Sequence, residues 1–108
     1  MSLLKTKIAR LPEGAYMARV SSYQEVNMDS GGGEYVVITL EIETGDCYQT
    51  ETDWVSPKRI PYVADALQDQ FDKDFESFEA LLKFAKDHDF TITYKKDERY
   101  GKQFSYKG

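Results

Sequence analysis

The clearest pattern in the chain runs from Tyr35 to Glu43, where Val36, Ile38, Leu40 and Ile42 alternate with Tyr35, Val37, Thr39, Glu41 and Glu43. A period of two with one apolar face predicts a half-buried β-strand. The stretch from Ala15 to Val26 obeys the same rule more loosely, with Tyr16, Ala18 and Val20 on one face and Met17, Arg19, Ser21 and Tyr23 on the other. Pro12-Glu13-Gly14 is a turn that launches this strand, and Lys5 to Leu11 reads as short, mixed and peripheral. Between the two strands, Asn27 to Glu34 contains Gly31-Gly32-Gly33 with Asp29 and Ser30, a composition that predicts a loop.

A third strand follows over Cys47–Val55, after Thr44-Gly45-Asp46. The loop length decides its faces, because a slip of one residue inverts a strand. With a two-residue turn Ile42 pairs with Cys47, and Gln49, Glu51 and Asp53 point inward. Unpaired buried carboxylates are costly. A three-residue turn, which pairs Ile42 with Tyr48 and turns Tyr48, Thr50, Thr52 and Trp54 inward, is therefore expected, and Trp54 becomes a core residue.

Ser56 to Pro61 breaks the sheet, and Pro61 suits the first turn of a helix. Val63, Ala66, Leu67 and Phe71 share one face at helical spacing. Asp72-Lys73-Asp74 interrupts, and a second helix is predicted from about Phe75 to Asp87 with Phe78, Leu81, Leu82 and Ala85 as its apolar stripe. Phe90–Tyr94 reads as a fourth strand, and Gly101 turns the chain into a fifth over Gln103–Lys107. The expectation is one domain over residues 1–108, mainly β, with a helical insertion between the third and fourth strands.

Charge changes this picture. The chain of 108 residues carries a net charge of −5, yet residues 91–108 hold five Lys/Arg against two Asp/Glu. Aromatic residues are interleaved with those cations. Cations along a groove and rings for stacking are what a single-stranded nucleic acid requires. Lysine on an edge strand also serves simply to block aggregation. An overall acidic balance argues against indiscriminate binding to duplex DNA or to anionic membranes. The single cysteine, Cys47, excludes a disulfide framework within the chain. No apolar run suits a signal peptide or a membrane span, so a cytoplasmic location without membrane association is expected.

Five strands with a helix between the third and fourth is the order of the OB-fold, a five-stranded Greek-key barrel. The stretch Gly14-Ala15-Tyr16-Met17-Ala18-Arg19-Val20, then the glycine-rich loop, then Tyr35 to Ile42, resembles the opening of phage- and plasmid-encoded single-stranded DNA-binding proteins. Phe78 to Leu82 followed by Phe90–Tyr106 is similar to their closing helix and hairpin, so the resemblance spans roughly residues 12–107. It implies an OB-like barrel that binds single-stranded DNA without sequence preference, in the replication or recombination of a phage or mobile element. Replication or recombination proteins would then be partners, and homo-oligomers would let weak contacts add up through avidity.

The candidate cations are Arg19, Lys58, Arg59, Lys95, Lys96, Arg99 and Lys102, and the candidate rings are Tyr23, Tyr35 and Tyr100. The expected groove is formed by the first strand, the Gly31–Gly33 loop and the last hairpin. Each residue has a plainer reading: Tyr23 and Tyr35 partly buried between strands, Lys58 and Arg59 in a solvated turn, the glycines as a long hairpin loop. An acidic exposed face of the second and third strands, Glu41, Glu43, Glu51 and Asp53, is expected to oppose the binding of a polyanion.

Catalysis is not expected, and neither a metal nor another cofactor is. His88 sits at a helix end, and one His and one Cys far apart make a poor nucleophile pair and no zinc site. Asp72-x-Asp74-x-Glu76 begins like a calcium loop, but Ser77 stands in place of the glycine and Lys83 in place of the bidentate glutamate. Gly31-Gly32-Gly33 lacks the Lys-Ser/Thr of a phosphate loop. The alternative function is an acidic protein-interaction module, presenting Asp65, Asp69, Asp72, Asp74, Glu76 and Glu79 to a basic partner or as a DNA mimic.

Overall fold

The alternating segment becomes the second strand of a five-stranded antiparallel sheet. The computed structural model describes residues 11–28, 33–45, 47–99 and 101–107. Its elements are β1 (Gly14–Met28), β2 (Gly33–Glu43), β3 (Tyr48–Val55), α1 (Ile60–Phe71), α2 (Phe78–Ala85), β4 (Phe90–Asp97) and β5 (Gly101–Ser105). The strands lie in the order β3-β2-β1-β4-β5, so the protein is mainly β with its helices inserted between β3 and β4. Backbone ladders join the four neighbouring pairs and none joins β3 to β5 among the described residues, so the sheet is not closed by hydrogen bonding. No helix is long and apolar enough to cross a membrane among the described residues.

The inner face of the sheet packs against the helices. Val36, Ile38, Leu40 and Ile42 of β2 are buried, as are Ala18 and Val20 of β1 and Phe90, Ile92 and Tyr94 of β4. Val63 and Leu67 of α1 and Leu81, Leu82 and Ala85 of α2 close this core from the other side, as their spacing predicts. The second helix is shorter than expected. It starts only at Phe78, where the extended Ser77 accepts a hydrogen bond from the Ala80 N–H, a cap that fixes its first turn. α1 ends at Asp72, which takes the left-handed conformation (φ 53°) that stops a helix. Gln70 then ties the helix down, accepting from the Thr91 N–H and donating to the carbonyls of Thr91 and Tyr106.

Three further expectations are corrected. Leu11 is not peripheral but buried in the core. The faces of β1 do not stay constant, because the register with β2 shifts between Val20 and Ser22. Such a bulge inserts an extra residue and inverts the parity beyond it. Tyr23, opposite the buried Ile38, therefore joins the inner face and not the face of Met17 and Arg19. The β2–β3 connection leaves four residues, 44–47, between the paired Glu43 and Tyr48. Thr44 stabilises it, donating from its N–H and its hydroxyl to the Cys47 carbonyl. The parity is that of the two-residue alternative, so the expected faces of β3 are reversed.

Candidate nucleic-acid interface

Reversal of β3 puts carboxylates inside and rings outside. Glu51 lies opposite Leu40 and Asp53 opposite Ile38, and the two acids are 7% and 5% exposed. The cost that argues against this register is met by partners. Lys102 Nζ donates to Glu51 Oε1 at 2.7 Å, and the Gln49 amide donates to Glu51 Oε2 at 2.6 Å. Arg59 Nη1 and Nη2 donate to the two Asp53 oxygens at 3.0 and 3.2 Å, and the Tyr106 hydroxyl adds a third bond at 2.8 Å. Arg59 also donates to the Phe104 carbonyl at 3.1 Å. No buried side-chain nitrogen or oxygen lacks a partner among the described residues.

These contacts cross the gap between the two outer strands. Lys102 and Phe104 belong to β5, and Tyr106 follows it, so side chains join the sheet edges where no ladder does. Burial, then the charge of Asp53, pushes the Tyr106 phenol well above its ordinary pKa, against the opposing pull of Arg59. Burial lowers the pKa of Arg59, but the Asp53 hydrogen bond and charge outweigh it and leave the guanidinium above its ordinary value.

The outer face of β3 carries Tyr48, Thr50, Thr52 and Trp54, with the two rings 56% and 50% exposed. Trp54 stands opposite Val37, which makes the outward Tyr35 its diagonal neighbour at roughly 7–8 Å. The two β3 rings are six positions apart, about 20 Å along a strand. Of the four acids expected on this face only Glu41 and Glu43 remain, next to Thr50 and Tyr48. The rows at Thr52 and Trp54 hold Thr39 and Val37 and no acid. Neither helix packs on this side: their buried residues all join the core on the inner face.

The predicted site residues do not form one groove. Arg59 and Lys102 are committed to the buried acids, and Tyr23 lies inside with the Lys86 ammonium 5.4 Å from its ring centroid. Arg19 is on the outer face, bound to Asp89 at 3.0 Å with its guanidinium carbon 6.0 Å from the Tyr48 ring centroid. Lys95 pairs in register with Gln103, on the side opposite to that of Lys96 and Lys102. Arg99 is in the β4–β5 turn, where its N–H donates to Asp97, and Lys58 is exposed in the turn after β3. Tyr100, Gly31 and Gly32 lie outside the described residues.

The glycine loop and the last hairpin belong to opposite ends of β1. Gly14 pairs with Tyr94 of β4, whereas Met28 pairs with Gly33. A strand of 15 residues spans about 45–50 Å. The expected groove is therefore replaced by a ring-bearing outer surface on β2 and β3. Trp54 and Tyr48, its most exposed rings, were not candidates, because the assumed register buried them. No family model matches the chain, and no matching curated protein or solved structure was found.

Proposed function

We propose that this protein binds single-stranded DNA without catalysis and without sequence preference, across the outer face of β2 and β3. The observation that carries the reading is the exposure of Trp54 and Tyr48 on that face, with the strand's acids turned away from it. The sheet order supports it: β3-β2-β1-β4-β5 is the order of an OB barrel, with side chains in place of the closing β3–β5 ladder. An OB-fold receives oligonucleotides on the face of its second and third strands.

Stacking dominates in this reading, and neutralisation of phosphates is secondary. Trp54, Tyr35 and Tyr48 are the base platforms. Lys58 and Arg19 flank them, and Lys95 contributes where a bound strand reaches β4. The Arg19–Asp89 pair is about 40% exposed on both sides, a kind of ion pair that a phosphate replaces at little cost. Two or three phosphate contacts give a shallow salt dependence, with a log–log slope of about −1.4 to −2.1 for a single strand. Homo-oligomers that coat a strand would raise the affinity through avidity, and replication or recombination proteins of a phage or mobile element are the setting that suits such a coat.

Fluorescence anisotropy of a labelled oligo-dT, titrated at low and moderate salt, tests the proposal. Binding at micromolar protein is expected, and Trp54→Thr should weaken it roughly 5- to 150-fold, the equivalent of one stacked base. Absence of binding at low salt would leave the acidic protein-interaction module as the reading. The six acids of that reading, from Asp65 to Glu79, are all exposed.

A further inference from the structure

Beyond the last residue of β3, the β1–β2 hairpin continues as a two-stranded arm. Val36 pairs with Val55, while Tyr35, Glu34 and Gly33 pair only with β1. The β1 bulge turns the inner side of this arm toward α2, and a cleft of about 520 Å³ lies between them. Its floor is apolar: Val36, Ile60, Phe78 and Leu82, with the Tyr23 ring as one wall.

Three carboxylates stand around that floor. Glu25 is directly opposite Val36 on the arm and Glu34 opposite Asn27, so the two acids are diagonal neighbours on the same side. Glu79 faces them from the first turn of α2. No ion pair engages Glu25 or Glu34 among the described residues, and Glu79 has only Lys83, 4.0 Å away and largely solvated. Lys86, over the Tyr23 ring, and the solvated Lys83 are the cations that the described contacts place near the cleft, and they do not balance three acids. Like charges gathered on a rim raise its energy, and a cation placed among them relieves it. An apolar floor, by contrast, rewards an apolar side chain.

The geometry points to a docking site for a short segment of a partner protein in which apolar residues are flanked by lysine or arginine. The apolar residues fill the floor over Phe78 and Leu82, and the flanking cations meet Glu25, Glu34 and Glu79. The site lies on the inner side of the arm, whereas the ring surface lies on the outer side of β2 and β3. Both can be occupied together, and neither depends on the other.

A labelled peptide of sequence KKLFKK tests it, beside KKSSKK, which keeps the charge and lacks the apolar pair. The first should bind in the micromolar range, at least fivefold more tightly than the second, and shift the backbone amide resonances of Tyr23, Val36, Phe78 and Leu82. The variant Glu25→Gln/Glu34→Gln should weaken KKLFKK at least fivefold with its thermal unfolding unchanged. Equal binding of both peptides, or shifts clustered at Asp65 to Asp74, would overturn the proposal. So would a dimer of the free protein that the double variant dissolves, since the cleft would then belong to a second copy of the chain.

Discussion

The two faces of β3 hold opposite chemistry at alternate positions. Inside, Glu51 and Asp53 are enclosed and fully partnered; outside, Trp54 and Tyr48 are half exposed. A strand with one solvated face ordinarily turns its rings in and its acids out. Here the inner face is used to hold the sheet together. The acids recruit Lys102, Tyr106 and Arg59, and these bring β5 and the start of α1 against the far edge of the sheet. The outer face is thereby left with large rings that folding does not consume. The inner row should accordingly govern stability and the outer row binding.

Arg59→Met should break this division most severely on the inner side. It strands Asp53, which is 5% exposed, and removes the bond to the Phe104 carbonyl. A loss of about 3 kcal/mol in urea unfolding is expected, at the low end for a buried pair because Arg59 is itself partly solvated. Trp54→Thr is the counterpart on the outer side. Its oligo-dT affinity should fall by about 1–3 kcal/mol, and its unfolding free energy should change by less than about 1 kcal/mol, since threonine suits an exposed strand position. A variant that lost stability and kept affinity would invert the assignment of the two rows.

Tyr106→Phe sharpens the comparison on the inner side, removing one of three bonds to Asp53 at a cost of about 1–2 kcal/mol. Its effect should depend on pH. The folded state holds the Tyr106 proton well above the ordinary value of 10.0 at which the unfolded chain releases it. The hydroxyl's contribution is thus complete below pH 10 and declines as the pH rises beyond it. The stability gap between the parent protein and Tyr106→Phe, measured by urea unfolding, should narrow above pH 10. Lys102→Gln should have the smallest effect, under about 1 kcal/mol, because Lys102 is half exposed and Gln49 still donates to Glu51.

Much of this architecture is legible in the sequence because it is local. The alternation from Val36 to Ile42 gives β2 its buried face, and the stripe Phe78, Leu81, Leu82, Ala85 gives α2 its own. The bulge in β1 has no such signal, since Ser21 and Ser22 fit either face, and Tyr23 is misplaced as a result. The register of β3 fails for a different reason. Unpaired buried carboxylates are indeed costly, but these two are paired by residues distant in the chain. Lys102 is 51 positions from Glu51, and Tyr106 is 53 from Asp53. The cations of the last hairpin were legible as an anomaly in an acidic chain. One of them, Lys102, answers a carboxylate inside the protein and not a phosphate outside it.

The chain has a single tryptophan, and it stands on the proposed surface. Its emission therefore reports on that surface alone. Titration of the protein with oligo-dT at low salt should quench Trp54 fluorescence to a saturable limit, most of which should persist when the salt is raised. Emission that stays unchanged while the oligonucleotide binds would place the strand elsewhere on the protein, and the outer face of β3 would lose the role assigned to it.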